Sequence, residues 1–405
     1  MHAYRGRSWI VRIGLLLGGL AIGLLLVEGA FRVFHIGPTF APVSWNNYRL
    51  SANPAQRYDL VPNSPDGQTV INRDGLRDRD YPRKKPAHTF RIACVGDSIC
   101  YGFGRKPEET VPKQLEALLG RCAAGATRYE VLNLGVVGYN AVQVVERVRT
   151  KALAYEPDAI VYMYCLNDPQ EYSFEMDNLL DRLPRAYRNY VSPESRWRAW
   201  LAQSHFLHYL VYLLQCRRGE GPAPAPNNWW FDDPQAVAMQ ANMHVRYFTQ
   251  LHKDPVHWKP AAGALNKLAG ISKANNIPVL LLIVPLFMDE KGADRLAATT
   301  NLLGEVHAFV TQEARKRGFR VLDLYPPYQA YTAAGLKPLN YDSLHLTRDG
   351  SSYTALITLA NLLHEKLLPE GVDLSRVPPS ETLKERQLAL VGSLFPDEPR
   401  GQYVQ

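Results

Sequence analysis

Residues 91–98 read Arg-Ile-Ala-Cys-Val-Gly-Asp-Ser, a short apolar run that stops abruptly at Gly96, Asp97 and Ser98. An apolar run of this length without alternation suits a strand buried on both faces, and such strands belong to parallel sheets covered by helices. Ser98 then sits just past the carboxyl end of a strand, where open parallel sheets hold their ligands.

The same pattern recurs downstream. Apolar strand-like runs are expected at 129–134 (YEVLNL), 158–165 (DAIVYMYC), 278–284 (PVLLLIV) and 320–324 (RVLDL). Helical spacing separates them at 111–119, 141–154, 262–275, 300–317 and 351–367. Strands alternating with amphipathic helices predict an α/β domain over 88–368 with a five-stranded parallel sheet. Residues 169–258 interrupt the alternation between the third and fourth strands. They contain a helix-spaced aromatic stretch and the linker GEGPAPAPNN at 219–228. Two readings of this insertion stand: helices packed on the domain, or a lid or substrate platform, since insertions at strand ends border ligands. Residues 369–405 form a tail.

The amino-terminal end reads differently. Residues 13–27 (IGLLLGGLAIGLLLV) carry no charge, and extending the stretch back to Trp9 adds only Arg12. At 1.5 Å per residue the longer stretch spans roughly 28 Å, close to the hydrocarbon core of a bilayer. Arg5, Arg7 and Arg12 precede it and only Arg32 follows closely, which predicts a cytoplasmic amino terminus and an extracytoplasmic remainder. Glu28-Gly29-Ala30 is a poor cleavage site, so an uncleaved signal anchor over 9–28 is expected. Between anchor and main domain, 36–87 reads as a Pro/Asn/Ser-rich stalk followed by a small hairpin with turn signals at Pro65-Asp66-Gly67 and Asp74-Gly75.

Composition narrows the function classes. The 405 residues are 46% hydrophobic and 21% charged, which excludes a disordered or fibrous chain. A net charge of +7 is mild at this length and no Lys/Arg block suggests a nucleic-acid partner. Five cysteines without a CxxC leave room for one disulfide and exclude a disulfide framework. Cys94 and Cys165 fall in apolar runs and read as buried small hydrophobes.

Four chemically loaded segments fall at strand ends: 96–99, 133–140, 167–168 and 340–345. A serine hydroxyl needs a base to remove its proton during attack, and His345 titrates in the right range. Asp342, three residues earlier, is within reach of His345 Nδ1 and would fix the tautomer. Candidate oxyanion donors are the Ser98 N–H, the Gly138 N–H and the Asn167 side-chain amide, each worth about 3 kcal/mol in a transition state.

These residues resemble the SGNH, or GDSL-type, hydrolase superfamily: Gly96-Asp97-Ser98-Ile99, Asn133 through Asn140 with Gly138, Asn167-Asp168, and Asp342-x-x-His345. The resemblance implies a flavodoxin-like three-layer α/β/α fold, Ser98 as nucleophile, His345 as base and Asp342 as its orienting acid. It also implies an oxyanion hole of Ser98, Gly138 and Asn167, and no cofactor or metal. Cys165 departs from the pattern, which begins its third block with glycine, and the larger side chain is expected to narrow the pocket or alter the backbone. The anchor, the segment INRDGLRDRDYP and the long insertion also look like membrane-attached members associated with cell-envelope polysaccharide acylation.

Competing motifs fail. There is no GxSxG elbow, Gly102-x-Gly104 lacks the rest of a dinucleotide loop, and His205 and His208 have no further metal ligand nearby. Cys100 reads as wall packing, and Tyr101 and Tyr139 as core or pocket lining. The expectation is a membrane-anchored, extracytoplasmic serine esterase acting on a small acyl ester, such as acetyl, of a small molecule or polysaccharide. The alternatives are an O-acyltransferase using the same triad on an envelope polysaccharide, and a non-catalytic envelope scaffold.

Overall fold

The computed structural model describes residues 3–34, 44–45, 47–51, 53, 55–67, 69–170, 173, 175–176, 179, 204, 206–207, 210, 248–286, 300–335, 339–340 and 344–377. The chain divides into two compact units, Met1–Tyr58 with Met176–Pro226, and Asp59–Glu175 with Asn227–Gln405.

The amino-terminal part begins with the helix α1 (Ala3–Val33), followed by three short strands β1 (Ser44–Trp45), β2 (Tyr48–Leu50) and β3 (Tyr58–Leu60) in the order β1-β2-β3. Strand pairing therefore begins within the stretch whose composition suggests a stalk. Within α1, Val11–Val33 is long and apolar enough to cross a membrane. Its leucines point outward on every side, Leu15, Leu16, Leu17, Leu20, Leu24, Leu25 and Leu26 among them. Near the carboxyl end of α1, Glu28 pairs with Arg32 at 2.8 Å and accepts hydrogen bonds from Ser204 Oγ (2.8 Å) and the Phe206 N–H (3.1 Å). Phe206 also meets Phe31 edge-on, with ring centroids 5.5 Å apart. Most of the insertion, including the 219–228 linker, His205 and His208, lies outside the described residues, as does the tail beyond 377.

The larger unit carries β4 (Thr89–Gly96), α2 (Ser98–Tyr101), α3 (Val111–Cys122), β5 (Arg128–Asn133), α4 (Ala141–Thr150), β6 (Ala159–Cys165), α5 (Pro255–Asn275), β7 (Val279–Val284), α6 (Thr300–Lys316), β8 (Arg320–Asp323), α7 (Tyr325–Ala333) and α8 (Arg348–His364). The five strands β4 to β8 pair in parallel in the order β5-β4-β6-β7-β8. Ile92, Cys94, Val161, Met163, Leu280 and Leu282 point into one core with side chains of α3, α7 and α8. The alternate residues Ala93, Val95, Ile160, Tyr162, Leu281 and Ile283 are buried just as completely, so both faces of the sheet are covered. This is the expected three-layer α/β/α arrangement with five parallel strands.

The strand order locates the site. From β4 the chain crosses to β5 on one side and then returns to β6 on the other, so the direction of winding reverses between β4 and β6. Helical connections leave in opposite directions at such a point and open a crevice at the carboxyl ends of the two strands. Those ends lead into Ser98 and Asn167.

Between β3 and β4 the chain turns back on itself in a minimal hairpin, the Asp66 N–H donating to the Thr69 carbonyl and the Ile71 N–H to the Ser64 carbonyl, both at 2.8 Å. A single antiparallel bridge joins Pro65 and Val70, and the expected strand at 69–72 is absent. Cys94, Cys100, Cys122 and Cys165 are buried free thiols.

Candidate active site

β4 ends at Gly96, where a Cβ would lie 2.7 Å from the Met163 carbonyl oxygen, so glycine lets the strand end press against β6. Asp97 then caps the single turn α2, its Oδ1 accepting the Ile99 N–H at 3.0 Å. Ser98 is the first residue of that turn and is only 5% exposed. Gly102, in the left-handed conformation with φ +80°, ends the turn.

His345 comes from the far end of the sequence. It lies in a loop fastened on both sides: the Thr347 N–H donates to the Leu339 carbonyl at 2.7 Å, and Asn340 Nδ2 to the Leu344 carbonyl at 2.8 Å. Thr347 also caps α8, its Oγ1 accepting the Gly350 N–H at 3.0 Å. A Cβ on Gly350 would fall 2.0 Å from the Leu339 oxygen, so only glycine lets the helix start this close to the loop. The outcome is that His345 Nε2 lies 3.0 Å from Ser98 Oγ across 247 residues of sequence. Phe103, 43% exposed, sets its ring 5.0 Å from the imidazole at 41°. Asp342 lies outside the described residues.

Asn167 sits in the turn after β6, held by backbone bonds from the Asp168 N–H to the Cys165 carbonyl (2.9 Å) and from the Gln170 N–H to the Asn167 carbonyl (2.8 Å). Its Nδ2 donates to Asp97 Oδ2 at 3.2 Å, while its Oδ1 is buried without a partner. Gly138, with φ +73°, lies in the loop after β5. That loop reaches the end of β4, where the Val136 N–H donates to the Gly96 carbonyl at 3.2 Å. It crosses α2 so closely that a Cβ on Gly135 would fall 2.2 Å from the Tyr101 nitrogen. Tyr101 and Tyr139 are buried core residues, and Cys100 is fully buried with its thiol directed at Asn133 Oδ1 (3.9 Å).

Two features of the site are not anticipated by the sequence reading. Cys165 is wholly buried, as its apolar run suggests, but its thiol donates to Asp97 Oδ1 at 3.2 Å. The other is a buried acid pair. Burial pushes the Asp97 carboxyl up, although the Ile99 N–H, the Cys165 thiol and the Asn167 amide pull the other way. Burial, reinforced by the charge of Asp97, holds Asp168 well above the usual carboxylate range. Asp168 accepts the Tyr162 hydroxyl on Oδ2 and leaves Oδ1 without a partner. Burial likewise pushes the Cys165 thiol well up, so it remains a protonated donor.

A second layer braces α2. Arg77, almost fully buried, donates to the Tyr101 carbonyl at 3.1 Å and the Arg105 carbonyl at 2.5 Å, pairs with Asp66, and lies over the Tyr101 ring. It thereby holds both ends of the loop that carries Phe103. No cluster of three or more His, Cys, Asp or Glu fit to hold a metal occurs among the described residues.

Residues 94–352 match the GDSL-like Lipase/Acylhydrolase family, and the chain belongs to it. It is an ester-hydrolysing serine hydrolase on this α/β framework. No curated protein matches it. Among solved structures it is similar to a catalytic mutant of an acetylxylan esterase from Geobacillus stearothermophilus, at 15% identity and a TM-score of 0.37 over 70% of this chain and 96% of that one. It is similar too to LAE5, an alpha/beta hydrolase enzyme from the metagenome of Lake Arreo, at 15% identity and a TM-score of 0.36 over 67% of this chain and 96% of that one.

Proposed function

We propose that this chain is a membrane-anchored, extracytoplasmic esterase that removes a short acyl group from a hydroxyl of a small molecule or envelope polysaccharide through an acyl-Ser98 intermediate. The observation that carries this reading is the 3.0 Å approach of Ser98 Oγ to His345 Nε2. In the first half-reaction His345 takes the Ser98 proton as Oγ attacks the ester carbonyl. The resulting oxyanion is met by the N–H groups of Ser98 and Gly138 and by the Asn167 amide. When the tetrahedral centre collapses, the C–O bond to the alcohol breaks and His345 passes its proton to the leaving oxygen. Water, deprotonated by the same imidazole, then attacks the acyl-serine, and Ser98 recovers its proton. Asp342 is assigned the orientation of Nδ1 and the stabilisation of the imidazolium.

A short acyl group is favoured because Ser98 is only 5% exposed, while the groups beneath it, Asp97 and Cys165, are sealed off completely. The amino-terminal helix supports anchorage, since it is apolar all round and none of its 11–33 window is buried.

The test uses the full-length protein in detergent. A fluorophosphonate probe is expected to label Ser98, and Ser98→Ala to lose both labelling and p-nitrophenyl acetate turnover, at least 10³-fold, with its thermal unfolding unchanged. Wild-type turnover in Ser98→Ala overturns the assignment. Within a p-nitrophenyl ester series, acetate is expected to exceed octanoate in kcat/KM, and the reverse order overturns the short-acyl assignment.

A further inference from the structure

We infer that Cys165 is a positioning residue of this active site: through the Asp97 carboxylate its thiol fixes the Asn167 amide that meets the oxyanion. The inference rests on the reading of Asn167 as an oxyanion donor and goes one step behind it.

The hydrogen bonds leave few alternatives. Among the described residues Asn167 Oδ1 has no partner, so the one bond that orients the Asn167 side chain there is from Nδ2 to Asp97 Oδ2 at 3.2 Å. One N–H of that amide is thereby committed, and the direction of the other, the one available to an oxyanion, follows from where Asp97 stands. Asp97 in turn is set on its Oδ1 side by two donors, the Ile99 N–H at 3.0 Å and the Cys165 thiol at 3.2 Å. The Ile99 bond belongs to the cap of α2 and follows that turn. The Cys165 bond belongs to β6, two residues ahead of Asn167. The thiol thus ties the carboxylate to the strand that supplies the oxyanion donor, while Ile99 ties it to the turn that supplies the nucleophile. Both halves of the site share one carboxylate. A glycine at this place, as the family pattern of the sequence would have it, could offer no such donor.

Asp97 and Cys165 are wholly buried, so the bond between them is made out of reach of solvent, while Asn167 is half-buried at the edge of the site. A donor lost here lets the carboxylate turn, and a displacement of a fraction of an ångström in an oxyanion donor is felt in the transition state far more than in the bound ester.

Full-length Cys165→Ala, Cys165→Ser and Asn167→Ala proteins, with the Cys165→Ala/Asn167→Ala double variant, are compared in p-nitrophenyl acetate hydrolysis. Cys165→Ala is expected to lose about tenfold in kcat with KM unchanged, and Cys165→Ser, which keeps a donor, to recover most of that loss. In the Asn167→Ala background, Cys165→Ala is expected to cost nothing further, because the residue it acts through is gone. A merely structural role would lower activity equally in both backgrounds, and that result overturns the inference. So does a wild-type kcat in Cys165→Ala while Asn167→Ala loses 10²-fold or more. If Asn167→Ala itself keeps wild-type kcat, the underlying assignment of Asn167 has failed instead, and the inference falls with it. Should Cys165→Ala not fold, Cys165→Ser decides: wild-type KM with kcat within threefold of wild type supports the inference, and a tenfold higher KM overturns it.

Discussion

Asp168 is the side chain whose environment is least comfortable, and its discomfort has a measurable sign. It is buried, it sits close to the charge of Asp97, and one of its oxygens has no partner. Its proton is therefore kept in the folded protein at pH values where the unfolded chain, with an ordinary value of 3.8, has released it. Where the folded state binds more protons than the unfolded state, stability falls as pH rises. The loss begins near the unfolded value and continues up through the raised one. Asp168→Asn keeps an acceptor for the Tyr162 hydroxyl and cannot ionise, so it removes this slope. Urea unfolding of the two proteins at pH 4.5 and pH 8 is expected to show the variant gaining on the wild type at the higher pH, by up to about 1.4 kcal/mol per pH unit within the window. Parallel stabilities at both pH values would show that Asp168 is ionised when folded. The residues of the site differ in how far the sequence discloses them. Ser98 and His345 are legible because a hydroxyl just past a strand and an imidazole ahead of the last helix need each other chemically, although α7 stands between β8 and the loop of His345. The bond from Cys165 to Asp97 is not, because a cysteine in an apolar run reads as a small hydrophobe and nothing local marks its thiol as a donor into a carboxylate 68 residues away. Phe103 is hidden in another way: its flanking glycines suggest a failed nucleotide loop, while its partner is an imidazole from the other end of the domain.

At the scale of elements, strands β4 to β8 begin and end within one or two residues of the apolar runs that foretell them, because parallel strands buried on both faces have no polar alternation to blur their edges. α7 escapes the sequence reading. It opens with Tyr325-Pro326-Pro327, and prolines that look like a break are tolerated in the first turn, where the amide hydrogens have no helical partner. The segment between β3 and β4 is the harder lesson. Its turns and the short antiparallel bridge at Pro65 and Val70 are legible, but the arginines that tie the segment to distant carbonyls are not. Arg147 of α4 shows this best. Its Nη1 pairs with Asp59 at 2.5 Å, Nη2 donates to the Gly75 carbonyl at 2.7 Å, and Nε to the Leu134 carbonyl at 2.7 Å. Burial alone would raise the Asp59 carboxyl, yet the charges of Arg147 and Lys151 hold it below its ordinary value. Removing Arg147 leaves two carbonyls unserved and Asp59 with Lys151 alone, 2.8 Å away, a loss of about 2–4 kcal/mol. Arg147→Met is accordingly expected to lower the urea midpoint strongly, and Asp59→Asn, which leaves the arginine its carbonyl acceptors, to lower it less. Equal midpoints for wild type and Arg147→Met would show that the segment is held by other contacts.

For the molecule as a whole, the question is what surrounds α1. The 23 residues of Val11–Val33 form a rod of about 34 Å, enough to cross a hydrocarbon core of about 30 Å with modest tilt. An ordinary surface helix hides its apolar residues along one stripe; α1 has them on all sides, and lipid is the solvent in which that arrangement costs nothing. The same helix would serve a signal peptide, and the difference lies at its carboxyl end. There Glu28 receives hydrogen bonds from Ser204 and Phe206, and Phe31 packs on Phe206, so the residues where cleavage would fall are engaged in folded contacts. Signal peptidase needs an extended, small-residue segment at that place. An intact anchor is therefore expected: the protein recovered from membranes should resist carbonate extraction and retain residues 1–33 by mass spectrometry. Arg5 and Arg7 before the span and Arg12 in its first turn, against Arg32 alone in its last, predict a cytoplasmic amino terminus. A carboxyl-terminal alkaline phosphatase fusion should be active, and the matching fluorescent-protein fusion exported through the general secretory route should stay dark. A mature protein beginning near residue 30 would replace the anchor by a cleaved leader, and a bright, phosphatase-inactive fusion pair would put the hydrolase on the cytoplasmic side. Each of these outcomes changes which acylated hydroxyls the enzyme can meet, since the anchor and its direction decide on which side of the membrane Ser98 waits for its ester.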